Sequence, residues 1–128
     1  MLCKLSGPLL FLNIAKFQES VNNNIKRMKP SVILFNFEHC NIIDSTGAHI
    51  FHEFIEDLKT KDIDLILFGV NKVVMETMTR SGLVHELDED CFTENYEKAV
   101  EMAEKILAGK NTIQSSISER SYLLENVV

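Results

Sequence analysis

The residues best suited to chemistry stand together at Asp44-Ser45-Thr46-Gly47, with His39 and Cys40 just before them and His49 and His52 just after. An acid, a hydroxyl and an imidazole invite a Ser-His-Asp reading of Ser45, His49 and Asp44. That reading fails, because no nucleophile elbow and no identifiable oxyanion donors surround the serine. Histidine and cysteine could also ligate zinc, yet no C-x2-C pair or H-x3–5-H pair joins these four residues into a metal framework. His49 and His52 fall off the apolar face of their helix and read as solvated polar residues. The chain carries no P-loop and no dinucleotide fingerprint. No catalytic residue, metal ligand or cofactor is therefore assigned. What remains is a pair of hydroxyls directly after a carboxylate.

The flanking pattern places that pair. Upstream, Ser31-Val32-Ile33-Leu34-Phe35-Asn36-Phe37 is a continuous apolar run of the kind found in a buried strand. Downstream, Ile50, Phe51, Phe54, Ile55 and Leu58 recur on one helical face. Asp44, Ser45 and Thr46 thus sit where a strand-to-helix turn ends and a helix begins. Their side chains can accept bonds from the unpaired first-turn N–H groups. The same end carries partial positive charge, which suits an anion or a phosphorylated hydroxyl. Two readings stay open: a plain helix cap by Ser45 and Thr46, or a regulated switch at Ser45. Thr46 and Gly47 shape the turn, and Gly47 lets another backbone approach closely.

With 128 residues the chain is one domain, too small to divide its core in two. A formal charge of −6 and no basic cluster beyond Lys26-Arg27-Met28-Lys29 argue against nucleic acid as a partner. Those basic residues suit a helix C-terminus. Cys3, Cys40 and Cys91 are odd in number and far apart, which points to structural thiols in a reducing compartment. No apolar run approaches the roughly 20 residues of a membrane-spanning helix, and no signal peptide is evident. The isolated chain is expected to be soluble.

Along the chain, Leu2–Leu5 and Leu9–Asn13 read as two short strands around a Ser6-Gly7-Pro8 turn. A helix over 15–28 follows, ended by Pro30. Then come the strand 31–37, a helix over 46–60, a strand over 63–68 ending at Gly69, and a helix over 71–80 stopped by Ser81-Gly82. Leu83-Val84 is expected to pack inward, and Cys91-Phe92 to form a last short strand. Tyr96, Ala99, Val100, Ala103, Ile106 and Leu107 define the final helix, closed by Gly109. The division is a domain over 1–109 and a tail over 110–128, partly disordered or lightly docked. All eight phenylalanines, Phe11 included, are read mainly as core. The fold class is α/β: a mixed sheet of about four to six strands covered by about four helices.

This order, with Asp44-Ser45-Thr46-Gly47 at the second helix and Ser81-Gly82-Leu83 after the third, resembles the STAS domain (sulfate transporter and anti-sigma factor antagonist). The resemblance covers residues 2 to about 108. Gly7-Pro8-Leu9-Leu10-Phe11-Leu12-Asn13-Ile14-Ala15-Lys16-Phe17 is similar to the matching segment of domains trailing sulfate-permease (SulP) transporters. Ala48-His49 stands where free-standing antagonists often carry Leu-Gly. The resemblance implies a non-catalytic, regulatory domain on the cytoplasmic side of a sulfate or inorganic-anion carrier. Its implied partners are the transmembrane portion of its own transporter, a cytoplasmic protein or a second STAS copy. It also maps the phosphorylated hydroxyl of the antagonists onto Ser45. The alternative is a free-standing anti-sigma factor antagonist switched by phosphorylation of Ser45. Weak nucleotide binding would have the helix-terminal turn as its only support here.

Overall fold

The computed structural model describes residues 1–82 and 91–110, and the backbone of 123–126. Nine elements alternate along it: β1 (Leu2–Lys4), α1 (Ile14–Met28), β2 (Val32–Asn36), α2 (Ser45–Thr60), β3 (Asp64–Phe68), α3 (Lys72–Arg80), β4 (Phe92–Thr93), α4 (Tyr96–Gly109) and β5 (Leu123–Asn126). The strands form one sheet in the order β4-β3-β2-β1-β5. Its centre is the five-residue register from Val32 opposite Asp64 to Asn36 opposite Phe68.

Side-chain alternation divides the central strands between two cores. Cys3, Ile33, Phe35, Leu65 and Leu67 face the larger core, which α1, α2 and α3 cover with Phe17, Val21, Phe51, Phe54, Val74 and Met78. Val32, Leu34, Ile66 and Phe68 face the other side, where α4 lays Ala99, Ala103 and Leu107 against them. Both faces being covered, all five residues of β2 are buried, which explains why the run 32–36 is apolar throughout rather than alternating. From β1 to β4 the chain steps in one direction across the sheet. Reaching β5 on the far side of β1 reverses that direction, so a right-handed return crosses the opposite face, where α4 lies.

The α/β sheet under helices expected from the sequence is what forms, and every described strand pairing in it is parallel. The second strand expected over Leu9–Asn13 does not form. Leu9 makes a single isolated bridge with Ile43. Beyond it the chain coils, because the Asn13 side chain accepts from the Leu10 N–H (2.8 Å) and donates to the Pro8 carbonyl (2.8 Å). An asparagine that closes a local turn on its own backbone competes directly with a ladder. Within the stretch read as a tail, Leu123–Asn126 lie beside β1. Leu83 and Val84, on which an inward-packing expectation rested, lie outside the described residues.

Candidate functional site

The loops at the C-terminal ends of β1, β2 and β3 meet around Asp44. Leu9 N–H donates to the Ile42 carbonyl (3.1 Å), and Asp44 N–H donates back to the Leu9 carbonyl (3.3 Å). From α3, Asn71 Nδ2 reaches the carbonyls of Cys40 (3.4 Å) and Asn41 (3.3 Å), while its Oδ1 caps that helix at Val74 N–H (2.8 Å). Three segments far apart in sequence are thus joined by hydrogen bonds in one loop layer.

Asp44 is the N-cap of α2, with extended backbone (φ −83°, ψ 167°) and its Oδ1 accepting from the Gly47 N–H. Its other oxygen, Oδ2, accepts from the Phe11 N–H at 3.0 Å. One carboxylate therefore caps the helix and ties it to the β1–α1 loop. This corrects the expectation that Ser45 and Thr46 do the capping. They are the first two residues of the helix itself, and both are exposed. The cap is Asp44 because it is the last residue with extended backbone, the conformation in which a short side chain can reach the N3 amide.

Gly47 is buried, and it is glycine for a spatial reason. A Cβ there would lie 2.7 Å from the Leu9 carbonyl oxygen and 2.9 Å from Asp44 Oδ1. The backbone that approaches this glycine is the chain's own. Phe11 departs from the core assignment: it is 61% exposed, its neighbour Leu12 is 89% exposed, and Ile42 is 47% exposed. These apolar side chains flank the turn, and the periodicity of the sequence gave no hint of them. The one signal that could have found them is Asn13, whose turn-forming side chain breaks the strand on which Phe11 was placed.

His49 is exposed and pairs with Glu53 at 2.8 Å. His52 is not the solvated residue expected. Its side chain is only 16% exposed, with Nε2 3.0 Å from Glu56 and Nδ1 3.1 Å from the Ser81 carbonyl at the end of α3. No cluster of three or more metal-type ligands occurs among the described residues. Burial pushes the Cys3 and Cys40 thiols up from their ordinary range, which leaves them poor nucleophiles. No described helix is long and apolar enough to cross a membrane.

A sequence model of the STAS domain family matches residues 1–101, well over half of the chain. The chain belongs to the STAS domain family. Among curated proteins, this STAS domain is similar to the chloroplastic sulfate transporter 4.1 of Arabidopsis thaliana, at 21% identity. That match takes in 92% of this chain and 19% of the transporter, so the chain spans about a fifth of that relative's length. Among solved structures, a sulfate transporter family protein from Wolinella succinogenes superposes with a TM-score of 0.73 at 24% identity, covering 84% of this chain and 86% of that one. The STAS domain of a Vibrio cholerae SulP transporter gives 0.67 at 18% identity, covering 87% and 84%. The unphosphorylated anti-sigma factor antagonist SpoIIAA gives 0.60 at 19% identity, covering 87% and 88%. At these identities the superpositions speak for the fold alone.

Proposed function

We propose that this STAS domain is the regulatory, protein-interaction module of a SulP-type sulfate or inorganic-anion transporter, working on the cytoplasmic side of the membrane without catalysis of its own. The observation that carries the reading is the division of labour at the turn. Asp44 and Gly47 hold the geometry, which leaves the Ser45 and Thr46 hydroxyls exposed beside the apolar Phe11, Leu12 and Ile42. Its partners in this reading are the transmembrane portion of the same transporter, a cytoplasmic protein or a second STAS copy.

Ser45 is the proposed switch. A phosphate on its Oγ adds about −1.5 to −2 charges at pH 7 next to the Asp44 carboxylate, both of whose oxygens hold N–H donors. Like-charge repulsion then weakens the exposed Asp44–Phe11 bond first, because solvent can replace it. The Phe11–Leu12 loop shifts as a result, and with it the apolar surface offered to a partner. The test is anion uptake by the full-length transporter carrying Ser45→Ala, Ser45→Glu or Asp44→Asn at normal membrane abundance. Altered uptake in Ser45→Glu is expected. Uptake equal to wild type in all three removes the switch and leaves only a cap.

A second reading, the free-standing anti-sigma factor antagonist, is kept by the exposed Ser45 that directly follows Asp44 in a chain whose fold SpoIIAA shares. There the same Ser45 would be the target of a protein kinase. Phosphorylation of Ser45 by an anti-sigma kinase, lost in Ser45→Ala, would select it over the transporter reading.

A further inference from the structure

The edges of this sheet are treated differently. At one edge β4 is only two residues long, too short to template another strand. At the other, β1 would present its free N–H and C=O groups to solvent were it not covered by Leu123–Asn126. That covering is irregular. Leu2 pairs with Leu123 and Lys4 with Asn126, so two steps along β1 oppose three along β5. The pairing of β1 with β2, by contrast, runs without a break through Leu2–Leu34, Cys3–Phe35 and Lys4–Asn36. A bulge in a parallel pair leaves a residue out of the ladder and weakens it locally. The family match ends at residue 101, so β5 lies outside the residues it covers.

We propose that the outer edge of β1 is a strand-docking site, plugged in this state by the chain's own Leu123–Asn126 as a displaceable strand. The site takes an extended peptide running parallel to β1, recognised mainly through its backbone. Tethering favours the plug. Lys110, where α4 ends, bonds the Ser31 carbonyl (3.0 Å) and pairs with Asp64 (2.9 Å) beside the starts of β2 and β3. The twelve residues 111–122 can reach about 40 Å when extended. Leu123, on the far side of β1, is two strand spacings from β2 and three from β3, about 10–15 Å. Because plug and edge belong to one chain, a free peptide must compete with a strand that is always at hand, which holds a weak four-residue ladder closed while leaving it exchangeable.

The test uses the 128-residue chain and a fluorescent peptide of residues 119–128. In the double variant Leu124→Pro/Glu125→Pro the plug loses a ladder donor whichever of the two adjacent amides faces β1, and the proline rings hinder the pairing, so the edge is vacated. The variant is expected to bind the peptide about tenfold more tightly than wild type, in which the tethered strand competes. Equal binding by the two proteins, or none by a folded variant, overturns the proposal. Hydrogen exchange on the wild-type chain decides independently of the variant's folding. The amides of Leu123–Asn126 should exchange at least about a hundredfold faster than those of the β2–β3 ladder, through a local opening. Protection equal to that ladder would make β5 a fixed part of the sheet and refute displacement.

Discussion

Replacing Asp44 with alanine removes two bonds made by one side chain, and their sum is measurable. The Oδ1 bond to Gly47 N–H is an N-cap, worth about 1 kcal/mol within a range of about 0.5–2. The Oδ2 bond to Phe11 N–H is charge-assisted but exposed, so solvent recovers part of it; about 0.5–1 kcal/mol is lost there. With the cap at its central value, Asp44→Ala should therefore cost about 1.5–2 kcal/mol, seen as a lower urea midpoint with an unchanged slope. In a domain of this size that is roughly 6–10 °C in Tm. Asp44→Asn keeps the Oδ1 acceptor and should lose only the Phe11 portion, about 0.5–1 kcal/mol. Ser45→Ala, at an exposed first helical position outside the cap, should fall within about 0.5 kcal/mol of wild type. The ordering is the test. Ser45→Ala as costly as Asp44→Ala would refute the assignment of the cap, and Asp44→Ala indistinguishable from wild type would refute the double tie.

Gly47→Ala sets a helix-propensity gain of about 1 kcal/mol against a Cβ 2.7 Å from the Leu9 carbonyl. Backbone cannot yield cheaply, so a net loss of about 1–3 kcal/mol is expected, and a raised Tm would contradict it. Phe51 contacts the rings of Phe17, Phe35 and Phe37 at centroid distances of 6.1, 5.7 and 5.7 Å. Phe51→Ala should cost about 3–5 kcal/mol, and a loss under about 1.5 would mean the cluster is not a shared core. Asn71→Asp keeps the cap of α3 but loses the donor to Cys40 and Asn41, so it should fall between wild type and Asn71→Ala in thermal stability. Because burial raises the Cys3 and Cys40 thiols, the unfolded chain releases those protons first as pH climbs past about 8.5. Stability should then fall with increasing pH, and a disulfide reagent at neutral pH should label the half-buried Cys91 before either buried cysteine. Early labelling of Cys3 would contradict its burial.

The elements whose periodicity is long and clean were legible in the sequence to within a residue or so. The helix over 46–60 begins at Ser45, and the strand over 63–68 begins at Asp64. The identity of the cap was not legible, because Asp44, Ser45 and Thr46 are all competent caps locally. The choice among them is made by Leu9 and Phe11, more than thirty residues upstream, which fix where the backbone stops being extended. The same long-range pairing put Phe11 at the surface, where an apolar run had suggested a strand. His52 illustrates the reverse error: its spacing placed it off the helix's own apolar face, yet its ring is partly buried where Ser81 and Gly82 arrive at the end of α3. Helical periodicity describes one element, and a partner from another element is invisible to it.

Two of the three alanines of α4 carry a consequence for natural variation. Ala99, Ala103 and Leu107 are the buried side chains by which that helix rests on Val32, Leu34, Ile66 and Phe68, so at two of these three positions a single methyl group stands between helix and sheet. The opposite face has five phenylalanines in mutual contact, whose rings can tilt to absorb a changed neighbour. A shim of methyl groups has no such freedom. Substitutions that enlarge Ala99 or Ala103 must lift the whole helix, while changes of similar volume beneath α1 or α2 can be taken up by repacking. Missense variation in this domain should therefore be tolerated unevenly, with damaging positions among the smallest residues as well as the largest.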